Sequence, residues 1–321
     1  MRVVVYGVGA VGGVVAAALT RSGTDVIGIA RGAQLDAIRA NGLRVRAPED
    51  EFVARFACAA TPQGISFRPD DAILLTMKSQ DTEAALEALR AAGVSDQPIF
   101  CFQNGVANER RALRLFDNVH GVTVMMPCSY LEPGRVSVRA APRFGIFDIG
   151  RFPGGSDAAD QALAQRLDAA NFAGFVQQDV MASKYGKLLL NLGNMIEAAV
   201  GPGVDTRALR ARVRAEGMAV LRHAGIRWID VDGSDPRRDT LMITTEVPGE
   251  DRPGGSTLQS LRRGADRLES DFLNGEIALI ARLHGMSAPL NSALAALGAR
   301  LVRDRTGAAS MTVADLEALL A

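Results

Sequence analysis

Three groups of residues in this chain have the types and spacing to do chemistry. The first is Gly7-Val8-Gly9-Ala10-Val11-Gly12, a glycine turn that ends a β-branched run and opens an alanine-rich segment reaching Arg21. Strand, tight turn and helix in that order make a dinucleotide fingerprint. Its first glycine permits the turn, its second admits a pyrophosphate and its third lets the helix pack on the strand. The N–H groups of the helix's first turn would then face the phosphates. The second group closes apolar strands with polar residues: Arg31, then Lys78, then Asn104. The third is Lys187, Asn191 and Asn194, with Lys184 just before them.

Arg31 stands where an acidic residue would take the ribose hydroxyls of NAD, and an Arg there suits the 2′-phosphate of NADP instead. The expected cofactor is therefore NADP, although a solvated strand-end Arg would look the same in sequence. Ligands of open α/β sheets sit at the carboxyl ends of strands. Lys78 alone could be a solvated helix start and Asn104-Gly105 a plain turn. Together, on successive strand ends, they point to one crevice. For the third group, a helix over residues 180–200 turns about 100° per residue and brings Lys187, Asn191 and Asn194 within roughly 60° of one another. Leu188, Leu189, Leu190 and Leu192 nearly encircle that helix, and a Lys and amides kept from water cost free energy unless they are partnered.

The elements that must carry these residues follow from hydrophobic patterning. Strands are predicted at 24–30, 71–76, 98–102 and 173–177, and helices at 34–41, 82–92 and 158–170. A hairpin is predicted from 43–45 and 52–58 around Pro48-Glu49-Asp50, and Leu113 and Phe116 are placed on the apolar side of a further helix. Gly and Pro mark 151–157 as a loop. The division falls near Asp179, giving a Rossmann-type NADP-binding domain over 1–178 and a helical substrate domain over 179–321. A Gly/Pro-rich break at 231–255 interrupts the second, and its last amphipathic helices start near Asn291.

Lys plus Arg equals Asp plus Glu at 36 each with no basic block, so nucleic acid and anionic membranes have no electrostatic claim on the chain. Cys58, Cys101 and Cys128 have neither CxxC nor His spacing and read as reduced thiols of a cytosolic protein. His120, His223 and His284 stand near no nucleophile motif, so neither a metal site nor a hydrolytic triad is expected. The uncharged run 3–20 could pass for a signal peptide or membrane anchor, but its glycines and the strand that follows on schedule favour the fingerprint.

The glycine turn, Arg31, Thr76-Met77-Lys78-Ser79-Gln80 and Gln103-Asn104-Gly105-Val106 resemble the NADP domain of ketopantoate reductase (2-dehydropantoate 2-reductase). The resemblance runs on through 122–126 and a hairpin expected over 134–149. It returns at Lys187 and Asn191, which match the family's catalytic lysine and the Asn four residues later, and at Ser256, Glu269 and Asn274-Gly275. It implies a Rossmann-type domain followed by an all-helical domain like the C-terminal part of 6-phosphogluconate dehydrogenase. It also implies NADPH-dependent reduction of a small 2-oxo acid, 2-dehydropantoate to pantoate, in cytoplasmic pantothenate biosynthesis.

On that resemblance Lys187 is the proton donor, with Lys184 as its rival. Lys78 holds substrate or cofactor, Asn104 the nicotinamide side, Asn191 with Ser256 the substrate carboxylate, and Glu269 a substrate hydroxyl. Without it, Ser256 reads as a helix N-cap and Glu269 as a solvated helix residue. The family carries a second Asn where this chain has Met195, and Asn194 could stand in for it. A reductase of another 2-oxo acid or an imine stays open, as do an NADP-binding sensor without turnover and a homodimer.

Overall fold

The valine run of β1 (Arg2–Tyr6) is buried along Arg2–Val5, as a central parallel strand must be. A computed structural model of the chain, which describes residues 1–251 and 254–321, builds outward from it. After β1 come α1 (Ala10–Arg21), β2 (Val26–Ile29), α2 (Gly32–Asn41), β3 (Leu43–Arg46), β4 (Glu51–Ala54) and β5 (Ala57–Ala59). Next are β6 (Asp71–Leu75), α3 (Thr82–Ala91), β7 (Ile99–Cys101), α4 (Asn108–Leu113) and β8 (Val119–Met125). The alternation then gives way to β9 (Cys128–Glu132), β10 (Arg135–Val138), β11 (Ala140–Pro142) and β12 (Ile146–Arg151), closed by α5 (Ala158–Ala169) and β13 (Ala173–Val176).

The main sheet has the order β13-β12-β8-β7-β6-β1-β2-β5, with every neighbour parallel except β12 against β8. The order reverses at β1, between β6 and β2, so the carboxyl ends of these strands form the switch point at which open α/β sheets bind ligands. A smaller sheet, β4-β3-β10-β9, covers the outer face of α1. That explains why α1 is alanine-rich and buried from Gly12 to Leu19: it has a sheet on both sides, and a Cβ on Gly13 would touch Val136 and Leu43.

The sheet region departs from the sequence expectations in three places. Residues 52–58 are not one hairpin strand. β4 pairs with β3, but β5 leaves to pair with β2, where the Phe56 ring fills the space over side-chain-free Gly28. Residues 134–149 are not one hairpin either. Their strands belong to three sheets, and Pro142, lacking an N–H, ends the middle one. The hairpin is β9–β10. Leu113 is exposed, whereas Phe116, beyond the end of α4, is buried.

The second half continues with α6 (Val180–Asn191), α7 (Asn194–Val200), α8 (Arg207–His223), α9 (Pro236–Leu241), β14 (Met242–Thr244), α10 (Ser256–Arg262), α11 (Asn274–Leu283), α12 (Pro289–Arg303) and α13 (Val313–Leu319). By spatial grouping, 104–107, 184–232 and 251–321 form a helical unit, and 1–103, 108–183 and 233–250 form the sheet unit. The segment 233–250 thus returns to the sheet unit from within the predicted break, whose Arg252-Pro253 lies outside the described residues. It is fastened at three points. Arg237 stacks on Phe175 and donates to the buried Asp148 at 2.7 Å and to Asp235. β14 pairs with β11. Glu250 accepts from Arg46 at 2.9 Å and Arg139 at 3.2 Å.

In the helical unit α8, α11 and α12 pack on one another. The last helices start at Pro289 rather than Asn291, which is itself buried and donates to Glu216 at 2.8 Å. No described helix is long and apolar enough to cross a membrane.

Candidate active site

The glycine turn owes its shape to contacts that leave no room for side chains. Gly7 has a φ of +107°, and a Cβ on it would lie 2.7 Å from the Met77 backbone nitrogen. A Cβ on Gly12 would collide with both the Gly7 carbonyl oxygen and Thr76 Oγ1. Gly9 differs, because a Cβ there would approach only the Gly7 oxygen, at 4.0 Å. The space over Gly9 is therefore open, as close approach of a pyrophosphate requires. Thr76, at the end of β6, donates to the Tyr6 and Gly7 carbonyls at 2.9 Å and ties the turn to the neighbouring strand end.

Arg31 is the exposed N-cap residue of α2, directly beyond β2. Its charge is felt at the end of β1: burial pushes the Tyr6 phenol above its ordinary pKa, and Arg31 opposes that rise. Lys78 is half-buried at the start of the short turn Ser79–Asp81. Behind it a buried polar chain links the ends of β6 and β7. Gln103 donates to Thr82 at 3.2 Å, Thr82 to Asn108 at 2.8 Å, and Asn108 to Ser79 at 3.0 Å. Nothing in the local pattern marks Thr82 or Asn108 as part of a site. Their helical positions looked ordinary, and only the fold brings the two helix starts together.

In the helical unit Lys187 and Asn191 lie one turn apart on α6, Lys187 half-buried and Asn191 only 6% exposed. The Asn191 amide nitrogen has no protein partner among the described residues. Lys184 is 2% exposed, more deeply buried than Lys187. The helix predicted over 180–200 breaks after Asn191, so Asn194 begins α7 and does not continue the Lys187–Asn191 stripe. Two remote residues meet the chain at the break. Asn274 donates at 3.0 Å to the Leu192 carbonyl, and Arg210 presses so close to Gly193 that a Cβ would lie 2.7 Å from its guanidinium.

Ser256 is the first residue of α10, with Gly255 rather than Ser256 as the N-cap. Its helix packs against α7, the helix that Asn194 opens. Glu197 of α7 accepts from the Gly255 N–H at 3.0 Å. Glu269 is buried and begins the turn Glu269–Phe272. The Asn104 loop, which groups with this unit, rests on that turn: Gly105 adopts φ +83°, and a Cβ there would lie 2.8 Å from the Phe272 carbonyl oxygen. The helical unit therefore brings the Asn104 loop to the Glu269–Phe272 turn, packs the helix that Asn194 opens on the helix that Ser256 opens, and carries Lys187 with Asn191 on one helix.

A separate cluster, His120 with Asp157 and Asp160, has metal-ligand types within 4.8 Å. Its atoms are already committed: His120 meets Asp160 at 2.7 Å and Asn118 at 2.9 Å, Arg151 holds Asp157, and both carboxylates cap α5.

Models of the ketopantoate reductase PanE/ApbA family match residues 3–154, and those of its C-terminal part match 179–301. The chain belongs to the ketopantoate reductase family. It is accordingly an oxidoreductase that acts on a CH–OH group, of an NAD(P)-dependent kind. A 2-dehydropantoate 2-reductase from Pyrococcus horikoshii is 29% identical over 92% of this chain and 96% of its own. One from Mesorhizobium japonicum is 28% identical over 95% and 99%. The crystal structure of a PanE/ApbA family ketopantoate reductase from Ralstonia eutropha aligns with a TM-score of 0.77 at 29% identity, covering 95% of this chain and 99% of that one. D-mandelate dehydrogenase with NADH and anilino(oxo)acetate aligns over 99% of both chains with a TM-score of 0.73, but at 20% identity that likeness is one of fold.

Proposed function

We propose that this chain reduces 2-dehydropantoate to pantoate with NADPH, with 1–178 holding the cofactor and 179–321 the substrate. The observation that carries the substrate half is Asn191. A buried amide N–H without a protein acceptor costs about 1–3 kcal/mol, and a substrate carboxylate is the acceptor that would repay it. The cofactor half rests on the open space over Gly9 and on the exposed guanidinium of Arg31, which suits a 2′-phosphate.

The bound dinucleotide would supply a hydride to the keto carbon. Lys187, one turn from Asn191, would give a proton to the developing alkoxide and offset its charge. Asn191 and Ser256 would orient the carboxylate, with Asn194 beside Ser256's helix. Lys78 and Asn104 would hold the nicotinamide end of the cofactor and the adjoining substrate, and Glu269 would accept from the substrate hydroxyl. Cytosolic location and a homodimer belong to the same proposal and are read by cell fractionation and light scattering.

The test is steady-state NADPH oxidation on a panel of 2-oxo acids, repeated with NADH. Turnover of ketopantoate with preference for NADPH is the expected result. Met195, buried at 1% exposure where the family carries an amide, favours a second reading in which another 2-oxo acid or an imine is reduced. Inactivity on ketopantoate with turnover elsewhere in the panel would establish that reading. Tight NADPH binding with no turnover on any member would make the chain a sensor.

A further inference from the structure

Gln34, in the first turn of α2, touches the backbone of the glycine turn from the β2 side. It is 9% exposed, and both ends of its amide are used. Its Nε2 donates to the Val8 carbonyl at 2.9 Å, and its Oε1 accepts from the Gly134 N–H at 2.7 Å in the β9–β10 turn. The orientation of the amide is forced, because a carbonyl can only accept and a backbone N–H can only donate.

The Val8 carbonyl belongs to the same planar peptide as the Gly9 N–H. That N–H donates to the Gly7 carbonyl at 2.7 Å. The Val8–Gly9 peptide is therefore held at both edges, by the turn itself on one side and by Gln34 on the other. The Gly7 and Val8 N–H groups both point to the Ile29 carbonyl, at 3.0 and 3.3 Å, which fixes the residues just before it. Without Gln34 the Val8 carbonyl would be a buried acceptor without that donor, and the plane that leads into the N-terminus of α1 would be held at one edge only. A fully satisfied buried polar link of this kind specifies geometry, where an apolar side chain of equal size would only fill volume.

We infer that Gln34 is a positioning residue for the dinucleotide: it sets the Val8–Gly9 peptide so that the first turn of α1 meets the pyrophosphate. The inference rests on the reading of the glycine turn as a cofactor site. Arg31 bears only on the 2′-phosphate, by which the two dinucleotides differ. Gln34 acts on the part common to both dinucleotides, so its loss weakens NADPH and NADH by the same factor.

The experiment is calorimetric titration of NADPH and NADH into the wild-type chain, Gln34→Met, Gln34→Glu and Arg31→Ala, with thermal melts of each and all titrations well below the melting point. Gln34→Met keeps the volume and removes both bonds. Gln34→Glu keeps the acceptor for Gly134 but has no N–H for Val8. Both are expected to bind each dinucleotide about tenfold more weakly, the loss of one well-formed hydrogen bond, with the NADPH-to-NADH ratio of the wild type retained. Arg31→Ala should change that ratio. Unchanged dissociation constants with a lowered melting point would make Gln34 merely structural and overturn the inference. So would a loss confined to NADPH, or wild-type affinity in Gln34→Glu, which would shift the role to the Gly134 bond. A wild-type chain that binds neither dinucleotide would remove the cofactor reading and this inference with it; wild-type binding with unaltered variants removes the inference alone.

Discussion

Replacing Asn191 by Leu should make the protein more stable and less active at once. The side chain is 6% exposed, and its amide nitrogen has no partner among the described residues. An unsatisfied buried donor costs about 1–3 kcal/mol, and at Asn191, the last residue of α6, helix propensity adds little to that. Leu has similar length but must settle beside the helix break, so a net gain of about 1–2 kcal/mol is expected, which at roughly 2–4 °C per kcal/mol raises the melting temperature by about 2–8 °C. In the active enzyme the same N–H would bond a carboxylate. Such a bond is worth about 1.5–3 kcal/mol, so kcat/KM should fall roughly 10- to 150-fold. The assays are a thermal melt of the free chain and NADPH oxidation with the best 2-oxo acid of the panel. A lowered melting temperature with kcat/KM intact would refute the reasoning, because the amide would then serve the fold.

Three further outcomes are expected. In single-turnover NADPH oxidation, Lys187→Ala should lose about 10²–10⁴-fold in the chemical step, while Lys184→Ala keeps the step and loses stability; the reverse pattern would move the acid role to Lys184. Arg237→Met should cost about 3–5 kcal/mol in denaturant melts, because Asp148 stays buried without its guanidinium. Burial works to raise the Asp235 carboxyl, but Arg237 outweighs it and holds the pKa below its ordinary value. The stabilisation is therefore full above about pH 4 and lost as pH falls through the depressed value, so acid melts of wild type and variant should converge. Burial pushes the Cys58 thiol up to about 11, so its alkylation by iodoacetamide at pH 8, followed by mass spectrometry, should run about 100-fold slower than that of an ordinary thiol.

What could be read from the sequence was set by local pattern. The glycine turn is local in its signal: Gly7, Gly9 and Gly12 lie within six residues between an apolar strand and a helix, although Thr76, Met77 and Gln34, which hold its shape, come from elsewhere. The strand-end positions of Arg31, Lys78 and Asn104 were legible because each follows an apolar strand. The break after Asn191 was not, since the side chains that meet it, Asn274 and Arg210, come from other helices. For the same reason Gln34 looked like an ordinary helix residue until Val8 and Gly134 were brought to its two ends. The splitting of 52–58 between two sheets depended on Gly28, a residue whose lack of a side chain matters only once Phe56 lies over it.

The return of 233–250 to the sheet unit has a consequence for how the protein is made. During synthesis β11, Asp148, Arg46 and Arg139 emerge long before β14, Arg237 and Glu250, which complete them. At about 5–20 residues per second the stretch between 183 and 233 alone occupies the ribosome for roughly 3–10 s. For that interval the sheet unit has an open strand edge and a buried carboxylate awaiting its guanidinium. The first unit to begin folding is therefore not the first to finish, and a gene cut at residue 178 would yield a sheet that lacks its last fastening.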